Sequence, residues 1–165
     1  MRYTPFAAAL SLALAVTSSV ASGEERVASP QAAALIAEGR AALQEGQAQA
    51  AIDAFEAALA VDPAYSPVLL DLAAAARQEG LSGKAIAYYR DVLARDPGNL
   101  DAIAGEGAAL AEKGALDKAR GKLAELSSLC GTNCPQTEQV SAAIARGPAM
   151  PVLAIETAAE QPVQN

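Results

Sequence analysis

At 165 residues the chain is long enough to bury a hydrophobic core, and a single domain is the default for this length. Although 52% of the residues are hydrophobic, only 4% are aromatic, so alanine and leucine supply the apolar surface and favour helices. The formal net charge of −7 argues against electrostatic binding of nucleic acid or anionic lipid. Histidine is absent, which removes the commonest general base and zinc ligand, and neither a cofactor nor a metal site is predicted.

The first 21 residues have the order of an export signal. Arg2 gives a short basic region, residues 6–16 are apolar, and residues 19–21 (Ser-Val-Ala) fit a small-x-small cleavage site. The apolar run is shorter than the roughly 20 residues that a membrane span needs, and no cysteine follows it for a lipid anchor. The sequence therefore predicts a signal peptide (1–21), a polar linker (22–31) and a periplasmic or secreted protein without stable membrane insertion. The alternative, a buried N-terminal helix, leaves the basic-apolar-small order unexplained.

Three glycines, Gly46, Gly80 and Gly114, recur at intervals of 34 residues. Glycine is favoured where a helix ends, because it tolerates the left-handed backbone conformation that follows the last turn. A fixed period of this length indicates stacked helical hairpins. Three hairpins are predicted in register, with helices at 32–45 and 48–61, at 66–79 and 84–95, and at 100–113 and 116–129.

Helix-stop signals separate the hairpins. Asp62-Pro63 and Asp96-Pro97 stand between them, and proline disfavours a helical conformation in its predecessor. The third hairpin has Gly131 instead, and a terminal repeat is usually atypical. The array is therefore predicted to stop at three repeats, which are 32–65, 66–99 and 100–131.

Small and large residues repeat with the same period. The small ones, which should let paired helices approach closely, are Gly39, Ala73 and Gly107 in the first helices and Ala51, Ala85 and Ala119 in the second. The large apolar ones, which should form a continuous core, are Leu35, Leu69, Ile103, Phe55, Tyr89 and Leu123.

This pattern resembles the tetratricopeptide repeat family, whose 34-residue unit carries a large residue, then glycine, alanine, an aromatic residue and proline. The matching residues of the first repeat are Leu35, Gly39, Ala51, Phe55, Ala58 and Pro63. The third repeat departs from the pattern at Leu126 and Gly131. The resemblance implies an all-α fold, a right-handed superhelical array of three helix-turn-helix repeats, and a non-enzymatic interaction module.

A capping helix is predicted at 135–146, because proline suits its first turn and Val140 with Ile144 forms an apolar strip. Such a helix would cover the flank of the last hairpin and complete a repeat domain at 32–146. Residues 147–165 hold three prolines and are predicted to be a disordered tail. The apolar strip at 152–155 could dock in a groove and give weak self-association, but an unstructured tail is favoured.

Cys130 and Cys134 are the two cysteines of the sequence. An even number in an exported chain suggests a disulfide, and a turn through 131–133 could bring the two residues within bridging reach. The alternative is a redox-active or metal-handling role for the pair. That role would need a thiolate of low pKa, and no lysine or arginine is adjacent in sequence to supply one.

The resemblance also implies a concave groove lined by the first helix of each repeat. The positions carried over are Ala33, Ile36, Arg40, Leu43 and Gln44, then Pro67, Leu70, Ala74, Arg77 and Gln78, then Asp101, Ala104, Ala108, Ala111 and Glu112. Arg40 and Arg77 are predicted to bind a carboxylate or the backbone carbonyl groups of an extended peptide. The lysines and asparagines with which some relatives grip a terminal carboxylate are replaced by Ile36, Arg40, Asp71 and Asp101. Binding of chaperone tails is therefore not expected.

The function predicted on this basis is a protein–protein interaction module or scaffold of the cell envelope, with a peptide or partner protein held in the groove. The mature sequence has no glycine-rich phosphate loop and no nucleophile elbow.

Overall fold

The structure, a computed structural model, describes residues 26–148, and this part of the chain forms seven α-helices and no strand. The helices are α1 (Pro30–Gln44), α2 (Ala48–Val61), α3 (Val68–Gln78), α4 (Ser82–Arg95), α5 (Leu100–Glu112), α6 (Leu116–Cys130) and α7 (Pro135–Arg146). The predicted signal peptide, residues 22–25 of the predicted linker and residues 149–165 of the predicted tail lie outside the described residues.

Consecutive helices pair into the three predicted hairpins. Helices α1 and α2, α3 and α4, and α5 and α6 pack against each other, α2 contacts α3, α4 contacts α5, and α7 covers α5 and α6. The three turn glycines have the positive φ that a helix end requires, at 77° for Gly46, 80° for Gly80 and 84° for Gly114. The predicted fold class, helical hairpin repeats with a C-terminal capping helix, is confirmed.

Helix ends differ from the predicted bounds by at most two residues. The first helix begins at Pro30, so the last two residues of the predicted linker are helical. The cause is a cap: the Ser29 hydroxyl accepts a hydrogen bond from the Ala32 amide at 3.3 Å. The Ser29 amide in turn donates to a carboxylate oxygen of Asp62 at 3.0 Å, which ties the start of the first hairpin to its end.

Large side chains pack against two of the small residues of the first helices, Gly39 and Gly107. A Cβ added to Gly39 would lie 2.5 Å from Cε1 of Phe55, so the aromatic ring packs on the bare backbone. A Cβ added to Gly107 would lie 3.0 Å from Cγ2 of Val140, so the capping helix packs closely against the backbone of α5 at this glycine. In both cases glycine permits a close approach between helices.

Most of the predicted large residues are buried in the core, while Leu35 and Leu123 are half-buried. The centre of the array is α5, in which every residue from 102 to 111 is buried. This helix is surrounded because α3, α4, α6 and α7 all contact it. No helix among residues 26–148 combines the length and the apolar character that crossing a bilayer requires.

Candidate peptide-binding surface

The first helices of the three hairpins lie along the inner side of the array. Helix α1 packs against α3 and α3 against α5, whereas in residues 26–148 the backbones of α2, α4 and α6 lie further apart, and α2 reaches α4 through the side chains of Glu56 and Lys84. The spacing is thus closer on the α1–α3–α5 side, and the array curves toward it. We call the side formed by α1, α3 and α5 the concave surface.

A cavity of about 410 Å³ opens on the concave surface along α1. Its residues on α1 recur every three or four positions, so they share one side of the helix. They are Ala33, Ile36, Ala37, Arg40, Ala41 and Gln44, with Tyr65 from the turn after α2 at the side. The floor is apolar and the rim carries a guanidinium, an amide and a phenol. We call this space the concave cavity.

Arg40 is held in an ion pair with Asp71 of the next first helix. Its Nη2 lies 2.8 Å from Oδ2 of Asp71, and its Nε donates to both carboxylate oxygens at 3.2 Å. The hydrogen bond to Asp71 raises the pKa of Arg40 above its ordinary value, against an opposing effect of partial burial. The pair links α1 to α3 across the concave surface.

A second arginine pairs with the following repeat in the same way. Nε of Arg77 on α3 lies 3.6 Å from Oε1 of Glu112 on α5, a looser contact than the first pair. The side-chain amide of Gln78 donates to the backbone carbonyl of Leu43 at 3.4 Å, which also joins α3 to α1. Polar contacts therefore run along the concave surface from α1 through α3 to α5.

In the third repeat, three predicted groove residues are not accessible. Ala104, Ala108 and Ala111 are buried, and the prediction that they line the groove is wrong. Ala104 belongs to a cluster with Val140 of the capping helix, and the other two belong to the main core. Asp101 remains exposed and accepts a hydrogen bond from Gln136 of α7 at 2.8 Å.

The first two repeats supply most of the accessible groove. Gln44 and Gln78 are exposed, Leu43 and Ala74 are half-buried, and Pro67 precedes α3. Ile36 is 5% exposed and lies at the floor of the concave cavity. Leu70 is not at that cavity but lines a smaller one of about 190 Å³ where α3 begins and α4 ends.

Residues 32–65 and 66–99 each match the family model described as tetratricopeptide repeat. These two segments are similar to tetratricopeptide repeats. The matched segments have the bounds predicted for the first two repeats. Two solved domains of this repeat type are bound to peptides.

Solved tetratricopeptide repeat domains share the fold. The domain of Sgt2 from Aspergillus fumigatus is 23% identical with a TM-score of 0.62, over 80% of this chain and 93% of that one. The first domain of Spaghetti (RPAP3), bound to the HSP90 peptide SRMEEVD, is 21% identical with a TM-score of 0.60, over 72% and 99% of the two chains. The second domain of human RPAP3, in complex with the HSP70 peptide SGPTIEEVD, is 21% identical with a TM-score of 0.60, over 70% and 93%. Among curated proteins no match is found.

Sequence reasoning missed two contributors to the concave surface of these repeats. Asp71 appeared only as a departure from a carboxylate-binding pattern, not as the partner of Arg40. Asp71 lies 31 residues after Arg40, three residues short of the 34-residue period. A search for oppositely charged residues separated by about one repeat would have identified this pair. Tyr65 belongs to the inter-repeat turn, which the groove positions carried over from the family do not include.

A buried carboxylate joins the second and third hairpins. The side chain of Glu106 on α5 is only 4% exposed, and its Oε1 lies 2.7 Å from Nε of Arg90 on α4. Its Oε2 lies 3.1 Å from Nζ of Lys122 on α6. This cluster was not predicted, because nothing in the repeat pattern marks position 106.

The two cysteines flank the turn between the third hairpin and the capping helix. The sulfur atoms of Cys130 and Cys134 lie at bonding distance, with the Cα atoms 5.9 Å apart. The Thr137 hydroxyl lies 3.0 Å from Sγ of Cys134 and donates to the Gly131 carbonyl at 2.9 Å. Among residues 26–148 no group of three or more cysteine, aspartate or glutamate side chains is placed to hold a metal ion.

Proposed function

We propose that this protein is a non-enzymatic interaction module of the cell envelope that holds a peptide or a segment of a partner protein on its concave surface. The observation that carries the proposal is the concave cavity, where an apolar floor on α1 is open to solvent and rimmed by hydrogen-bonding groups. Its volume of about 410 Å³ lies within the range of roughly 300–1,000 Å³ that is usual for ligand pockets. Peptide binding by related domains of the same fold supports it.

The concave surface offers a partner two kinds of contact, apolar contact with alanine side chains and hydrogen bonds with glutamine amides. Ala33, Ala37 and Ala41 are exposed and small, so a bulky side chain of the partner can lie against them. The exposed amides of Gln44 and Gln78 can pair with the backbone of an extended segment, as peptide recognition commonly requires. An apolar anchor with backbone hydrogen bonds is the mode that this surface supports best.

Filling the concave cavity should abolish binding without unfolding the protein. Ala41→Arg places a long side chain in the cavity on an exposed helical position, where arginine is a good helix former. A photo-crosslinking residue at Gln44 should capture a partner in cells, and Ala41→Arg should reduce that capture at least about tenfold, which corresponds to 1.4 kcal/mol or more.

The matched control is Ala60→Arg, the same substitution at an exposed position of α2. It adds the same charge away from the concave surface and should leave capture unchanged. Equal loss in both variants, or a partner captured as well from Gln49 on α2 as from Gln44, would place the binding surface elsewhere.

The envelope location rests on the predicted signal peptide, and the cysteine pair offers a check on it. In an oxidising compartment Cys130 and Cys134 should form a disulfide that closes a short loop. The chain-entropy model gives about 2 kcal/mol of stabilisation for such a loop, so Cys130→Ala with Cys134→Ala should lower the free energy of unfolding by about that amount. Mass spectrometry of alkylated protein from the envelope fraction should show both thiols blocked; two free thiols, or a protein confined to the cytoplasm, would contradict the proposal.

A redox or metal-handling role for the same pair is the weaker alternative. The polar side chain beside both sulfur atoms is the Thr137 hydroxyl, at 3.0 Å from one and 3.8 Å from the other. A hydroxyl does not lower a thiol pKa as a nearby cation would. These contacts fit a structural bridge between the last repeat and the capping helix.

A further inference from the structure

The charged groups of the concave surface indicate which ligands it accepts. The arginines predicted to meet a ligand, Arg40 and Arg77, each face an acid on the next first helix. We propose that these acids, Asp71 and Glu112, determine specificity by occupying the arginines, so that the surface rejects acidic peptides and takes an apolar segment without acidic flanks. This inference rests on the proposed function and names the ligand class for the same surface.

The pairing of Arg40 uses the atoms that a carboxylate ligand would need. Bidentate binding of a carboxylate requires two N–H groups of a guanidinium side by side. In Arg40 those groups, on Nε and Nη2, already donate to Asp71 at 3.2 and 2.8 Å. An incoming carboxylate must therefore displace Asp71 or use the N–H groups left on Nη1 and Nη2, on a guanidinium whose charge Asp71 already offsets.

Displacing the acids is unfavourable because neither is fully in solvent. The side chain of Asp71 is 23% exposed and that of Glu112 is 19% exposed. A partly buried carboxylate that loses its cation keeps its desolvation cost and gains nothing in return. A carboxylate ligand therefore gains less binding free energy at these paired arginines than it would at unpaired ones.

The net charge of the concave surface also disfavours an acidic ligand. Arg40 and Arg77 are each paired with one acid, Asp71 and Glu112, and a third predicted groove acid, Asp101, contacts Gln136 and neither arginine. A surface with surplus negative charge disfavours an acidic partner and favours a neutral or basic one. The apolar floor of the concave cavity, with Ile36 below and Tyr65 beside it, then selects an aliphatic or aromatic anchor.

The test removes the two acids and offers an acidic peptide. The double variant Asp71→Asn with Glu112→Gln keeps the shape of both side chains and leaves the arginines without a charged partner. We expect labelled SRMEEVD peptide, followed by fluorescence anisotropy, to bind this variant at least about tenfold more tightly than the unaltered protein. A gain of binding cannot come from unfolding, and thermal melts of both proteins verify that they are folded.

The matched control makes the same change of net charge on the second helices. Glu56→Gln with Asp117→Asn neutralises the acids of two other exposed pairs, with Lys84 at 3.1 Å and Arg120 at 2.8 Å. Its affinity for the acidic peptide should equal that of the unaltered protein. An equal gain in the control, tight binding by the unaltered protein, or no gain in either variant would each overturn the role of Asp71 and Glu112.

Selection from a display library of random twelve-residue peptides tests the accepted ligand. The unaltered protein should enrich peptides with aliphatic or aromatic residues and few acids, and Ala41→Arg should lose them. Enrichment of acidic peptides that Ala41→Arg still abolishes would overturn this inference and leave the proposed function standing. No enriched peptide sensitive to Ala41→Arg would contradict both.

Discussion

Gly105→Ala should lower the free energy of unfolding by about 1–3 kcal/mol, although alanine is the better helix former. The added Cβ would overlap Cζ and Cε1 of the Tyr89 ring and lie 2.6 Å from its hydroxyl oxygen. Tyr89 is only 4% exposed, so the ring cannot swing into solvent to make room. Urea unfolding of the purified protein, followed by circular dichroism, measures the change.

Gly121→Ala is the matched control and should change stability in the opposite direction. Gly121 lies within α6, is exposed, and has nothing within 4 Å of an added Cβ. Alanine should therefore stabilise the protein by about 0.5–1 kcal/mol through helix propensity alone. The explanation for Gly105 further requires that Tyr89→Leu relieve most of the cost of Gly105→Ala in a double-mutant cycle. Strictly additive effects, or a stabilising Gly105→Ala, would contradict it.

The helix ends and the repeat length were predicted well, because residues adjacent in sequence determine them. The turn glycines at 46, 80 and 114 and the prolines between hairpins act on the local backbone, so their period revealed the repeat length and most helix ends. The capping helix, Pro135–Arg146, was predicted from the proline of its first turn and the strip of Val140 with Ile144, and Gly147 follows its end.

Contacts between repeats were harder to predict, because they depend on the angle at which hairpins stack. Gly105 lies two positions before the repeat's aligned glycine, and its role follows from Tyr89 of the preceding hairpin. Positions carried over from the family placed Ala104 in the groove, yet the capping helix brings Val140 into the same cluster. Arg40 and Arg77 were predicted as groove residues, but their pairing with Asp71 and Glu112 depends on the distance between successive first helices.

Glu106→Gln should lower the free energy of unfolding by about 1–3 kcal/mol, because it leaves buried polar groups badly paired. The carboxylate of Glu106 is almost fully buried and accepts from Arg90 on one oxygen and pairs with Lys122 on the other. Glutamine has the same shape, but its amide nitrogen is a donor and must face one of the two cations. Denaturant unfolding of the variant gives the size of the loss.

Glu125→Gln is the control for the charge change. Glu125 also lies 3.1 Å from Nζ of Lys122, but its side chain is 41% exposed. Exposed pairs contribute about 0–1 kcal/mol, so this variant should lose less than Glu106→Gln. Glu106→Leu with Lys122→Met should recover much of the stability, since an apolar replacement of a buried pair is often neutral. A loss in Glu125→Gln as large as in Glu106→Gln would show that burial of Glu106 is not the cause.

The pH dependence of stability provides an independent test of the same cluster. Burial lowers the pKa of Lys122, but its hydrogen bonds to Glu106 and Glu125 outweigh that effect and raise the pKa above the ordinary 10.5. A raised pKa in the folded state means that the contribution of Lys122 is complete below pH 10.5 and is lost as the pH rises through the folded-state value. Unfolding measured between pH 9 and about 12 should therefore show a steeper loss in the unaltered protein than in Glu106→Gln. Parallel curves for the two proteins would mean that the buried carboxylate does not hold the proton on Lys122.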